Sequence, residues 1–180
     1  MERVTLACQI DPLSPLIHGL AATTLHSLGR YEAAERAARQ AVELQPEHGM
    51  GLLWRAVALC GLGRHEEAIE IAERLTRLSR AISCVTALGL AYALAGRLDD
   101  ASRILQELED RRSRGEYVSA NADLSIHVGR GELPAIRAAL SKVLEEDIAL
   151  WTVLATTGPF LEKFRSDPDI NRMLLEFYGW

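Results

Sequence analysis

A chain of 180 residues can bury one continuous apolar core, and a second independent domain is not expected. Hydrophobic residues make up 48% and charged residues 25%; 20 Lys and Arg stand against 25 Asp and Glu, and the resulting charge of -5 argues against a nucleic-acid surface. No positively charged segment leads into a cleavable apolar run, and no window stays apolar for the ~18 residues of a membrane span, so neither a signal peptide nor a membrane partner is expected.

At the start of the chain, Leu6-Ala7-Cys8-Gln9-Ile10-Asp11-Pro12 echoes Gln40-Ala41-Val42-Glu43-Leu44-Gln45-Pro46 at a spacing of 34. Residues 1–11 therefore read as the later part of a second helix from a preceding pair. A helix this short is marginal alone and must dock on the next helix pair. Val4, Leu6, Ala7 and Ile10 form its candidate edge for self-association.

From residue 15 a helix pair repeats. Leu16, Ile17, Leu20, Ala21, Leu25 and Leu28 make an apolar stripe at helical spacing. Gly29 opens the turn, Tyr31 begins a second helix carrying Ala34, Ala38, Ala41 and Leu44, and Pro46 ends it. The turn Leu25-His26-Ser27-Leu28-Gly29-Arg30-Tyr31 recurs as Leu59-Cys60-Gly61-Leu62-Gly63-Arg64-His65 after 34 residues, and as Tyr92-Ala93-Leu94-Ala95-Gly96-Arg97-Leu98 after 33 more. Such a period is a mark of stacked helix-turn-helix units. The expected repeats are 15–48, 49–81 and 82–114. A degenerate fourth covers 117–146, with its turn at Gly131 rather than Gly129 and Pro134 in the first turn of its second helix.

The pattern resembles the tetratricopeptide repeat family. In that frame, repeat one has Ala22, Leu25, Gly29, Tyr31, Ala34, Ala38, Ala41 and Pro46. Repeat two has Ala56, Leu59, Gly63, His65, Ala68 and Ala72, with Arg80 where proline is usual. Repeat three has Leu88, Gly89, Tyr92, Gly96, Leu98 and Ala101. The resemblance implies an all-α fold of antiparallel helix pairs stacked in a right-handed superhelix. Tyr117-Val118-Ser119 and Phe164-Arg165-Ser166-Asp167-Pro168 are similar to the C-terminal ends of such segments in large bacterial regulators. This implies a bacterial, cytoplasmic interaction segment without the winged-helix, cyclase or kinase modules those regulators carry.

Residues 147–180 leave the repeat. A short apolar helix is expected over 148–155, a break at Thr156-Thr157-Gly158-Pro159, and a last helix after Pro168 with Asp167 placed to cap it and Asp169 in its first turn. All three phenylalanines and two of the three tryptophans lie here. A solenoid must cover its final apolar face, so this tail reads as a C-terminal helical cap. A tail exchanged with a partner chain is the alternative.

Nothing in the sequence assembles into catalytic chemistry. His65-Glu66-Glu67 lacks the second histidine of a zinc motif, and His18 and His26 are too far apart for a helical chelate pair. Gly61-Leu62-Gly63 and Gly129-Arg130-Gly131 are helix exits without the context of a phosphate loop. Glu66-Glu67 and Asp99-Asp100 lie in first turns, where the helix field favours negative charge. Cys8, Cys60 and Cys84 are odd in number, sit in helical patterns and read as free thiols of a reducing compartment. No enzyme activity, metal or cofactor is expected.

The resemblance also implies that the first helices line the inside of the curve. The inner row is then Leu16, Gly19, Thr23 and His26; Met50, Leu53, Val57 and Cys60; Ser83, Thr86, Leu90 and Ala93; Val118, Asn121, Ser125 and Val128. The lysine and asparagine clamp with which some family members hold a C-terminal carboxylate is absent. Met50, Leu53, Val57, Cys60, Thr86, Leu90 and Asn121 form the candidate groove. Three readings stay open: the groove holds a helix or extended segment of another protein, it is filled by self-association or by the tail, or the curve is so narrow that these residues are core. The expected role is non-catalytic protein binding or scaffolding. Alternatives are a homodimer built through the edge, groove or tail, and a regulatory partner of a separate catalytic or DNA-binding protein.

Overall fold

The structure, a computed structural model, describes residues 2–146 and 157–178. A short helix α1 (Glu2–Ile10) leads into four pairs: α2 (Pro15–Ser27) with α3 (Tyr31–Leu44), α4 (Gly49–Gly61) with α5 (His65–Leu78), α6 (Ile82–Leu94) with α7 (Leu98–Ser113), and α8 (Ala120–Arg130) with α9 (Leu133–Glu145). A single turn, α10 (Gly158–Leu161), a 3-10 turn over Glu162–Phe164 and a last helix α11 (Pro168–Tyr178) complete the described chain. Among the described residues the ordered secondary structure is entirely helical. The helix expected over 148–155 lies outside them.

The turns explain why the sequence pairs its helices. Gly29, Gly63, Gly96 and Gly131 have φ of 69°, 73°, 75° and 72°, in the left-handed region that a Cβ disfavours. Each glycine N–H returns to the carbonyl three residues back, and the next residue's N–H reaches five back: Arg30 to Leu25 at 2.9 Å, Arg64 to Leu59 at 3.0 Å, Arg97 to Tyr92 at 2.9 Å and Glu132 to His127 at 3.3 Å. This double closure satisfies otherwise orphaned carbonyls and reverses the chain. Arg64 and Arg97 then clamp Glu67 and Asp100, three residues on, at 2.6–2.7 Å.

Packing follows residue size. Ala22, Ala34, Ala38, Ala41, Ala56, Ala58, Ala68, Ala72, Ala91 and Ala101 are fully buried where helices cross. Small side chains at these points let the axes approach, while Leu52, Leu59, Leu75, Leu108 and Leu124 fill the space between. The first helices α2, α4, α6 and α8 lie side by side, and α3, α5 and α7 each pack between the first helix before and the one after. This places the first helices along one inner face.

The far end is closed by the chain itself. α11 lies on α9, burying Ile170 and Leu174 with Ile136 and Leu140, each at most 1% exposed. Arg137 of α9 pairs with Asp167, whose carboxylate also accepts the Ile170 N–H at 3.1 Å and so caps α11.

Candidate concave binding site

Along the inner face, exposure changes from one end of the helices to the other. Leu16 and Ser83 are exposed and Met50 is half-buried, whereas His26, Cys60, Ala93 and Val128 at the other end are all buried. At that end the tail packs against the first pair. Phe160 of α10 sits against two rings of the first pair: its centroid is 5.6 Å from His26 and 6.1 Å from Tyr31, nearly parallel to the latter. His26 in turn lies 5.5 Å from Trp54. Burial pushes the Tyr31 phenol up from its ordinary value.

A polar clamp holds the tail on the last pair. The Thr157 hydroxyl donates to Asn121 Oδ1 at 3.0 Å and lies 2.7 Å from Ser125 Oγ, which donates to the Asn121 carbonyl at 2.8 Å. All three residues are buried, so these bonds replace water lost on docking. Nearby, Glu146 at the end of α9 accepts the Ala120 N–H at 3.0 Å and the Ser119 hydroxyl, capping α8 from its own partner helix.

Among the described residues a pocket of about 280 Å³ lies between α4, α6 and α8. Leu53, Val57, Ala87 and Leu90 line it, with Ile82, Ser83, Thr86, Tyr117 and Ser119 toward the starts of the helices. None of its lining side chains among the described residues is charged. The Thr86 hydroxyl is buried and has no hydrogen-bond partner among the described residues.

Of the candidate groove residues, Leu53, Val57, Thr86, Leu90 and Asn121 come together around this pocket, and Met50 and Cys60 do not line it. Val57 and Leu90 are 4% and 3% exposed, so the open apolar face is narrower than the inner row suggested. Met50 lies against Gly19, and Cys60 is core, its thiol pushed by burial up to about 12. Asn121 serves the tail clamp. At the other candidate site, Leu6 and Ile10 are exposed and Ala7 half-buried; the side chain of Val4 lies outside the described residues. Sequence reasoning missed the aromatic cluster, whose only signal was Phe160 after a Gly-Pro break, and the exposure of Leu13, Leu16 and Leu20.

The geometry so far is that of short antiparallel pairs stacked with a common inner face. Residues 20–81 match one tetratricopeptide repeat family model, and residues 83–107 match a second. Over those residues the chain is similar to tetratricopeptide repeats. No curated protein matches it. The matches cover α3 to α6 and parts of α2 and α7, which includes two of the three helices around the pocket. Tetratricopeptide repeats generally mediate protein–protein interaction or scaffolding and are typically non-catalytic, so a protein partner is the class these repeats point to. No helix among the described residues is long and apolar enough to cross a membrane.

Proposed function

We propose that the chain is a non-catalytic, cytoplasmic interaction module that seats an uncharged, apolar-anchored segment of a partner protein in the pocket between α4, α6 and α8. The observation that supports this reading is the pocket itself, whose lining among the described residues is largely apolar and uncharged. At about 280 Å³ it lies just under the ~300–1,000 Å³ of small-molecule sites, and one or two side chains suit it better than a whole cofactor. A charged anchor would lose its hydration with no counter-charge in the lining. Burying one large apolar side chain contributes about 2–3 kcal/mol, whereas micromolar affinity needs about 8 kcal/mol. The partner therefore also makes main-chain or flanking contacts, for which Thr86, Ser83 and Tyr117 supply polar atoms.

Selection of displayed random peptides tests this. The wild type is expected to enrich sequences with one bulky apolar residue among uncharged neighbours. Thr86→Trp, which fills the pocket from a half-buried position, is expected to weaken their binding at least ~10-fold with its melting temperature unchanged. Enriched peptides that bind both proteins alike would count against the pocket.

A second reading, a homodimer, is favoured by a separate observation: several large aliphatic side chains stand exposed at the N-terminal end. Association through the tail is less favoured, because Phe160 packs within its own chain.

A further inference from the structure

We infer that His48 is a pH-sensitive latch between the first two helix pairs: its neutral imidazole caps α4, and protonation releases the first turn of that helix. The inference is independent of the pocket and of the homodimer reading.

The cap supplies the first argument. The Gly51 N–H donates to His48 Nδ1 at 3.1 Å, and His48 has the extended backbone of a residue that precedes a helix. An imidazole nitrogen accepts such a bond only while it carries no proton. The first turn needs the bond, because Gly49 and Gly51 are both weak helix formers. The same place in the other pairs gives the contrast. Ser14, 34 residues earlier, caps α2 through the Ile17 N–H at 3.4 Å, and Ser119 caps α8 through the Asn121 N–H at 3.1 Å. Ala81, before α6, offers no side-chain cap. A serine hydroxyl caps alike at acid and neutral pH, whereas histidine changes its charge between about pH 5 and 8.

Position gives the second. The half-buried His48 ring lies where three helices meet. A Cβ at Gly19 of α2 would stand 3.3 Å from His48 Cε1. One at Gly51 would stand 3.2 Å from His48 Nδ1 and 3.0 Å from the Ala41 Cβ of α3. Met50, within the capped turn, also places its sulfur against Gly19. Loosening this turn therefore loosens the contact of α4 with the first pair.

Charge gives the third. The ionisable groups around the ring are Glu47 beside it in the chain, Glu43 near the end of α3, His18 next to Gly19 on α2, and Arg74 of α5, whose guanidinium donates to the Pro46 carbonyl. Among the described residues none of them is bonded to the ring. A protonated His48 thus stands at a helix N-terminus, where the helix field opposes positive charge. The other ring bonds run the opposite way. His18 Nε2 faces the Pro12 carbonyl at 2.9 Å and His127 Nδ1 the Glu132 carboxylate at 3.0 Å, and a protonated ring donates to both. The cap on α4 is accordingly made above the imidazole range and lost as pH falls through it.

Amide spectra and hydrogen exchange of the full labelled chain, from about pH 8 to about pH 5, test this across the range in which histidine titrates. The Gly51 amide shift is expected to move with the His48 ring resonances. Protection over residues 49–53, corrected for intrinsic exchange, should fall about fivefold in acid, the size of one lost cap. The Ile17 and Asn121 amides, capped by serines, should not follow the ring. His48→Ser keeps a cap and should hold its protection at both ends of the range, while His48→Ala should be loosened at both. A Gly51 shift that stays fixed while the ring titrates, an acid loss of protection that persists in His48→Ser, or a His48→Ala chain as protected as the wild type at neutral pH would each overturn the inference.

Discussion

A methyl group added at Gly61 would meet the Tyr31 ring at 2.5–2.6 Å, and that ring also stacks near Phe160, with centroids 6.1 Å apart. Alanine gains about 1 kcal/mol over glycine in helix propensity, while overpacking a fixed site costs ~1–3 kcal/mol. Gly61→Ala is therefore expected to destabilise the fold by about 1–2 kcal/mol in urea titration. Gly19→Ala should differ. Its nearest neighbours are the sulfur and Cγ of Met50, the yielding part of a flexible side chain, so the result should be neutral or slightly stabilising in the same titration. The thiols make a third test. Cys60 and Cys84 are buried and Cys8 is half-exposed; alkylation at neutral pH should mark Cys8 in the folded chain and the other two only in denaturant.

The tail as an element depends on two small sets of polar contacts. Thr157→Val removes the hydroxyl shared by Asn121 and Ser125 in a buried site, and leaving such groups short of a partner costs ~1–3 kcal/mol. Hydrogen exchange over 157–178 should accelerate while exchange in α4 and α6 stays unchanged. The second set is pH-dependent. The Arg137 guanidinium, helped by the Ile170 N–H, holds the Asp167 carboxyl below its ordinary 3.8. A depressed carboxyl stabilises the folded state above its unfolded value, and that contribution is lost as pH falls through the folded value. Arg137→Gln should therefore start to loosen α11 at higher pH than the wild type, and the difference should vanish once Asp167 is protonated. Exchange measured in a pH series reads both effects.

For the whole molecule, the parts legible in the sequence are those that repeat. A glycine that must adopt positive φ announces itself at 29, 63, 96 and 131, and alanines at helix crossings recur with the same period, so the pairs and their turns could be placed by spacing alone. The tail could not. No periodicity states where Phe160 lands, and its ring partners His26 and Tyr31 come from the first pair, more than a hundred residues away. The inner row was legible as a row but not by depth: Val57 and Leu90 look the same as Leu53 in the pattern, yet both are core residues at 4% and 3% exposure while Leu53 is half-buried. Leu20 carried a usable signal, since its equivalent in the next pair is Trp54.

The central claim is that an uncharged apolar group enters the space between α4, α6 and α8. Titration with N-acetyl-tryptophanamide, followed by amide shifts in the uniformly labelled chain, tests it most directly. The account predicts saturable shifts concentrated at Leu53, Val57, Thr86, Leu90 and Ser125, lost in Thr86→Trp. Shifts concentrated at Leu13, Leu16 and Leu20 instead, or none that saturate, would contradict it.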